Sequence, residues 1–189
     1  MKQLAVMAFA VLFASACSDT NSNADVKKTD STTSTTTTAA AAGNYNYPYT
    51  LERPYQDWQP GDQQHAVMVM NSLKAYETGD INTSVASFGD TVDVRFDYFQ
   101  ARVSNDSLKK MFTDSRAQLA ALKISMQDWE SVISKDKKTE YVTLWYKETS
   151  TDKKGKTDSV AVIDDLKIVK GKIVELDQKI QHYPKAKKK

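Results

Sequence analysis

The C-terminal part of the chain most constrains the fold, because it consists of four strand-like runs in succession. Runs 124–133, 140–149, 159–169 and 173–183 are rich in β-branched and aromatic residues, which strands favour. Two of the connections, "TDKKGKTD" and "KGK", are polar and contain Gly, as hairpin connections do. Strands joined by such short connections pair antiparallel, so the four runs predict a β-meander.

The segment before the meander predicts three helices and one further strand. Asp62 can cap the first helix and Gly79 can end it. The predicted elements are helices 62–78, 80–88 and 104–123, the last starting at Ser104 or Asp106, and a strand at 91–99. Helices followed by a meander are typical of an α+β domain with the helices gathered on one face of an antiparallel sheet.

One carboxyl group must point into the core. Asp is depleted in strands, yet the run 159–169 contains both Asp164 and Asp165, and alternation places one of them on the inner face. A buried carboxylate needs a polar partner or an open pocket, because desolvation of an unpaired charge is costly. Trp129, Trp145 and Tyr146 are expected to pack the sheet.

The first 17 residues, "MKQLAVMAFAVLFASAC", have the basic start, apolar run and small residues of a secretory signal. The ending "ASAC" resembles a bacterial lipobox, in which the Cys carries fatty-acyl chains such as palmitate and becomes the first residue of a lipoprotein. Cys17 is therefore the expected lipidation site and membrane anchor; the alternative is an ordinary signal cleaved nearby. Because Ser18 rather than Asp follows, the enterobacterial sorting pattern implies the outer membrane of a Gram-negative cell envelope.

Composition then divides the rest of the chain into four parts. Residues 18–43 are rich in Ser, Thr and Ala and contain one large apolar residue, which predicts a disordered tether. Residues 44–61 combine aromatics with prolines and are expected to cover the body. The folded domain is expected at 62–184, followed by a basic tail at 185–189.

Few residues of the chain suit metal, redox or nucleic-acid chemistry. Cys17 is the single cysteine, and His65 and His182 are the two histidines, neither in a ligand motif, so we expect no metal and no cofactor. The 26 Lys and Arg nearly balance the 24 Asp and Glu, and four of the lysines lie in the tail. No basic stripe interleaved with aromatics is present in the body, so we expect no nucleic-acid partner.

The element order, together with "YETGDINTSVASFGDTVDVRF" and "KGKIVELDQ", resembles the nuclear transport factor 2-like superfamily, in particular its SnoaL-like branch and the ketosteroid isomerases. The resemblance covers about residues 62 to 183. It implies a cone, in which a curved antiparallel sheet wraps over the first of about three helices and leaves a pocket at the open end. The superfamily contains enzymes and binding domains, so the fold leaves the function open.

The resemblance also implies where the pocket lies. Asp164 in "IDDLKI" matches an isomerase Asp that stays protonated and donates to the substrate, and alternation agrees, since Val162 and Leu166 share its face. The resemblance places the second isomerase donor, a tyrosine, at Ser72. It places the isomerase base at Phe96, or at Asp97 if the strand register slips by one residue. Two of the catalytic groups of the isomerases are therefore missing. Ser72, Gln178 and Tyr76 are the candidate partners of Asp164. The predicted pocket residues are Ser72, Tyr76, Phe96, Asp164, Leu176, Gln178 and Ile180.

Three functions remain open from the sequence. The first is a membrane-tethered lipoprotein that binds a small apolar or mixed ligand. The second is an acid–base enzyme of isomerase or dehydratase type with Asp164 as a neutral donor, and the third is a protein-interaction module of the envelope. A homodimer is also expected, because Ala161, Ile163 and Val169 make the second face of their strand apolar.

Overall fold

The computed structural model describes residues 48–52 and 55–184. The predicted signal with Cys17, the tether at 18–43, the start of the cover segment and the tail at 185–189 lie outside the described residues. Within these ranges there are three helices, α1 (Gln63–Thr78), α2 (Ile81–Ala86) and α3 (Asn105–Ala117). The strands are β1 (Gln59–Pro60), β2 (Phe88–Phe96), β3 (Phe99–Ser104), β4 (Leu119–Ile133), β5 (Glu140–Asp152), β6 (Thr157–Val169) and β7 (Lys172–His182).

Each helix begins directly after a residue whose side chain caps its N-terminus. The carboxylate of Asp62 accepts from the N–H of Gln64 at 2.8 Å at the start of α1, and Asp80 accepts from the N–H of Thr83 at 3.1 Å at the start of α2. Ser104 caps α3 in the same way. Gly79 ends α1 with φ at 89°, a left-handed conformation that a residue without a Cβ adopts freely.

The strands form one curved, unclosed sheet in the order β1-β4-β5-β6-β7-β2-β3. The predicted meander is confirmed, since β4, β5, β6 and β7 pair antiparallel in sequence order. A register shift at Gln127 in β4 marks a β-bulge, and bulges of this kind bend a sheet. The predicted α+β class is therefore confirmed, with helices packed against a curved sheet.

Three details of the fold differ from the sequence prediction. The sheet is mixed, because β2 pairs parallel with β7, for example Val94 with Leu176. The strand predicted at 91–99 ends at Phe96, and a tight turn leads into β3, which was not predicted. Helix α3 ends at Ala117 rather than 123, because the last residues of the predicted helix alternate and pair with β5.

The N-terminal cover segment contacts the sheet only at its end within the described residues. Tyr49 and Tyr55 are 85% and 70% exposed. Trp58 packs edge-on against Tyr141, with ring centroids 6.0 Å apart, and β1 pairs with the end of β4. Contacts with the body begin slightly earlier, since the N–H of Lys135 donates to the carbonyl of Gln56 and the Lys135 side chain pairs with Asp57.

The core lies between the inner face of the sheet and the helices. Helix α1 buries Ala66, Val69, Ser72 and Ala75 toward the sheet. The inner face contributes Val142 and Leu144 from β5, Val162, Leu166 and Ile168 from β6, and Ile173 and Leu176 from β7. No helix among the described residues is long and apolar enough to cross a membrane.

Candidate functional site

A cavity of about 470 Å³ lies on the inner face of the sheet, between the helices and strands β2, β3, β5, β6 and β7. Its walls are mostly apolar and aromatic. They consist of Val69, Leu73, Tyr76, Phe88, Phe96, Tyr98, Phe99, Met111, Phe112, Leu144, Tyr146, Leu166, Leu176 and Ile180. Its polar lining consists of Ser72, Ser84, Asp97, Ser115, Glu148, Asp164 and Gln178. The sheet and helices therefore enclose an open space beside their packed core.

Asp164 forms the centre of a buried polar cluster in the cavity wall. Its carboxyl group is 5% exposed and accepts one hydrogen bond from the hydroxyl of Tyr146, at 2.8 Å to Oδ2. The side-chain amide of Gln178 donates to Oδ1 at 3.1 Å. The sheet register produces the cluster, because Gln178 pairs directly with Asp164 and Tyr146 pairs with Val162, the preceding inward residue of β6.

Burial and hydrogen bonding act in opposite directions on the Asp164 carboxyl. Desolvation raises its pKa, while the hydrogen bonds from Tyr146 and Gln178 lower it, and the net effect is a rise from 3.8 to about 6. At neutral pH, the group is therefore mainly ionised, with about one molecule in ten protonated. The same burial, reinforced by the adjacent carboxylate, holds the pKa of the Tyr146 hydroxyl well above its ordinary value.

A second carboxyl group, that of Glu148, also lines the cavity. Glu148 follows Leu144 and Tyr146 on the inward face of β5. Burial raises its pKa, and its charge in turn raises the pKa values of Asp164 and of the Tyr76 hydroxyl. The Tyr76 hydroxyl itself lies 3.0 Å from Ser115 Oγ. The charge of Glu148 thus disfavours ionisation of Asp164 in the same cavity.

The structure brings all seven predicted pocket residues to this cavity: Ser72, Tyr76, Phe96, Asp164, Leu176, Gln178 and Ile180. Asp164 faces inward and Asp165 outward, as alternation indicates, with Asp165 accepting from Thr143 and Lys179. Of the three predicted partners of Asp164, Gln178 is observed. Ser72 donates to the backbone carbonyl of Ser84, and Tyr76 contacts Ser115. Contact of any of these residues with a ligand stays a prediction.

Sequence reasoning missed two residues of the site. Tyr146 is expected from the sequence to pack the sheet, but its hydroxyl donates the shorter of the two hydrogen bonds to Asp164. Glu148 is not among the predicted pocket residues. Both follow from one signal, since Val142, Leu144, Tyr146 and Glu148 alternate along β5 and share its inward face.

Asp97 lines the cavity without the register slip that the sequence prediction required. Strand β2 keeps Val92 and Val94 fully buried and ends at Phe96, so Asp97 lies in the turn before β3. A carboxyl group therefore lines the cavity at this turn, although it is exposed. No group of three metal-ligating side chains is found in the part of the chain that the structure describes.

No protein-family model matches the sequence. No curated protein is significantly similar to it. Solved structures do match it in three dimensions, with sequence identities far below the level that indicates a shared activity.

Three of these structures illustrate the similarity. An NTF2-like protein from Anabaena variabilis is 13% identical with a TM-score of 0.53, over 64% of this chain and 90% of that one. An LEH-like epoxide hydrolase from M. tuberculosis is 13% identical with a TM-score of 0.51, over 63% and 84%. AusH from Aspergillus nidulans is 14% identical with a TM-score of 0.53, over 65% and 87%. The chain therefore has the NTF2-like fold that the sequence predicted.

Proposed function

We propose that this protein is a lipoprotein of the cell envelope, tethered to the outer membrane through Cys17, whose NTF2-like domain binds a small apolar or mixed ligand. The observation that carries the binding proposal is the cavity of about 470 Å³ over the centre of the sheet. Ligand pockets typically enclose about 300 to 1,000 Å³ and combine apolar walls with a few convergent polar groups. The cavity meets both conditions.

The polar groups of the cavity support binding of a ligand with a hydrogen-bonding end. Asp164, Tyr146 and Gln178 converge at one place on the wall. Ser84 Oγ is buried, lines the cavity and has no hydrogen-bond partner among the described residues. A buried hydroxyl without a partner is costly unless something bonds to it, so a ligand group that reaches Ser84 gains a hydrogen bond.

Native mass spectrometry of the protein purified from its own cells tests the proposal. We expect a small molecule to remain bound and to be lost after Leu176 at the cavity wall is replaced by Trp, which fills the space. The matched control is Trp at Val169, which is 40% exposed outside the cavity and should retain the molecule. Wild-type protein that is consistently empty in this experiment contradicts ligand binding.

Cys17→Ser tests the membrane tether. Serine lacks the thiol that accepts the acyl chain in a lipoprotein, so we expect the body to appear in the soluble fraction or to stay unprocessed. Because several acyl chains on one residue give stable anchoring, the wild type should remain almost entirely with the membranes. Membrane fractionation measures the change, and Ser18→Ala, which keeps the thiol, should behave as wild type. A Cys17→Ser protein that is still acylated and membrane-bound excludes the tether.

An acid–base enzyme is the second candidate, and the observation that favours it is Glu148. Two carboxyl groups of raised pKa in one cavity can exist in different protonation states, as general acid and general base require. Asp164 would be the neutral donor, although its pKa of about 6 leaves only a minority protonated at neutral pH. We place binding first, because it requires only the cavity.

A homodimer through the outer face of the sheet remains part of the proposal. Ala161 and Ile163 are half-buried and Val169 is exposed on this face. Charged residues share the face with them, including the pair of Arg95 with Glu175 at 2.8 Å. The native mass spectra described above also give the number of subunits, so they test this assembly directly.

A further inference from the structure

The charge of the cavity lining is entirely of one sign. Asp97, Glu148 and Asp164 contribute carboxyl groups, and none of the described residues that line the cavity is Lys, Arg or His. We infer that the cavity takes an apolar organic cation, an amine or quaternary ammonium compound, with Glu148 as its counter-ion. The inference rests on the proposed ligand-binding function and names the chemical class of the ligand.

Glu148 is the carboxyl group of the lining that is both partly buried and free to pair with a ligand, whereas Asp97 is exposed. It is half-buried, and it forms no hydrogen bond or ion pair with any residue in the described ranges. Both oxygens of Asp164, in contrast, already accept hydrogen bonds from Tyr146 and Gln178. A half-buried carboxylate without a partner attracts a cation more strongly than an exposed one, because the surrounding dielectric constant is lower.

The surroundings of Glu148 support this assignment. Burial raises the pKa of Glu148, and no neighbouring cation acts to lower it. Arg116, which does not line the cavity, lowers the pKa of Tyr76 and donates to the backbone carbonyls of Leu119 and Glu77. Its charge is thus felt at Tyr76, but it does not lower the pKa of Glu148 or of Asp164.

The walls also suit a cation. Seven aromatic side chains line the cavity: Tyr76, Phe88, Phe96, Tyr98, Phe99, Phe112 and Tyr146. Aromatic faces attract ammonium groups, and clusters of aromatics recognise quaternary ammonium ligands in this way. The unpartnered hydroxyl of Ser84 adds an acceptor for an N–H group. Anionic ligands, such as fatty acids and phosphate esters, would face three carboxyl groups in a lining that includes no basic residue among those described.

Three matched probes test the charge preference: phenylbutylamine, phenylbutanol and phenylbutanoate, which differ only in the terminal group. Their dissociation constants with the full chain can be measured by isothermal titration calorimetry near neutral pH. We expect the amine to bind roughly tenfold or more tightly than the alcohol, and the carboxylate to bind weakest. Equal binding of amine and alcohol, or tightest binding of the carboxylate, overturns the inference.

Substitutions then locate the counter-ion. Glu148→Gln should weaken binding of the amine roughly tenfold and leave binding of the alcohol unchanged. Asp165→Asn, on the outer face of the sheet, should change the affinity for neither probe. Glu148→Lys should reverse the preference in favour of the carboxylate. Circular dichroism and binding of the alcohol confirm that each variant is folded. An amine that binds Glu148→Gln as tightly as wild type overturns the role of Glu148.

The same titrations separate this inference from the proposed function. If the alcohol binds, and Leu176→Trp abolishes its binding, the cavity is a ligand site whatever the charge preference. If the three probes bind equally there, the cation inference fails and the ligand-binding proposal stands. If none of the three binds wild type, both are contradicted.

Discussion

Asp164→Asn is expected to raise the free energy of unfolding at about pH 8 by about 2–3 kcal/mol, although it alters the centre of the buried cluster. At this pH, the folded protein holds an ionised carboxylate in a desolvated position, while the unfolded chain ionises it in water. The pKa of about 6 in the folded state against an ordinary 3.8 measures this cost. Asn keeps the shape and removes the charge, and its amide can still accept from Tyr146 and donate to Gln178 after the Gln178 amide turns over.

The pH window follows from the direction of the shift. A raised folded-state pKa means that the Asp164 carboxyl stabilises the fold fully below pH 3.8 and that this contribution is lost as pH rises through about 6. The difference between Asp164→Asn and wild type should therefore be near zero at about pH 3.5 and largest above pH 7. Denaturant unfolding at several pH values measures it, and the comparison cancels the titration of all other groups.

Asp165→Asn is the matched control, because it removes a neighbouring carboxylate that lies on the outer face beside Thr143 and Lys179. Its effect should be within about 1 kcal/mol, as is usual for exposed ion pairs. A loss of stability in Asp164→Asn at pH 8 that shrinks at low pH would show that Asp164 is a well-paired carboxylate. That result would exclude the neutral-donor mechanism and the enzyme candidate with it.

Side chains alternate between the two faces of a strand, and this period is local and fixed. The alternation therefore predicted which residues lie on the inner face of the sheet. Once Asp164 faces inward, Val162 and Leu166 must share its face, and so must Leu176, Gln178 and Ile180 on the hairpin partner. The pocket residues on β6 and β7 were predictable for this reason. The same parity on β5 contains Tyr146 and Glu148, and applying it there would have found both.

Pairings that depend on distant parts of the chain were not predictable in this way. The turn at Asp97 and Tyr98 lacks the Gly or Asn that usually marks a hairpin, so β2 and β3 resembled a single strand. Leu122 fits both the helical period of α3 and the alternation that continues to Ile124, and pairing with β5 decides in favour of strand. The parallel contact of β2 with β7 joins residues about 80 positions apart, which no local pattern encodes.

Tyr146→Phe is expected to destabilise the protein by about 1–3 kcal/mol at about pH 8, because it removes one of the two donors to a buried carboxylate. Tyr146 is 1% exposed, so water does not replace the lost hydroxyl readily. With Gln178 as the remaining donor, the pKa of Asp164 should rise further, and stability should continue to fall with pH beyond the wild-type window. Below pH 3.8, where the carboxyl is neutral, the cost should shrink to that of an ordinary hydrogen bond, about 1 kcal/mol.

The double variant Tyr146→Phe with Asp164→Asn separates the effect of the hydroxyl on the carboxylate charge from its effect on packing. If the Tyr146 hydroxyl acts mainly on the carboxylate, Tyr146→Phe in the Asp164→Asn background should cost less at pH 8 and should be nearly independent of pH. A cost that is the same in both backgrounds and at both pH values would contradict this, because the contribution of the hydroxyl would then be independent of the charge on residue 164.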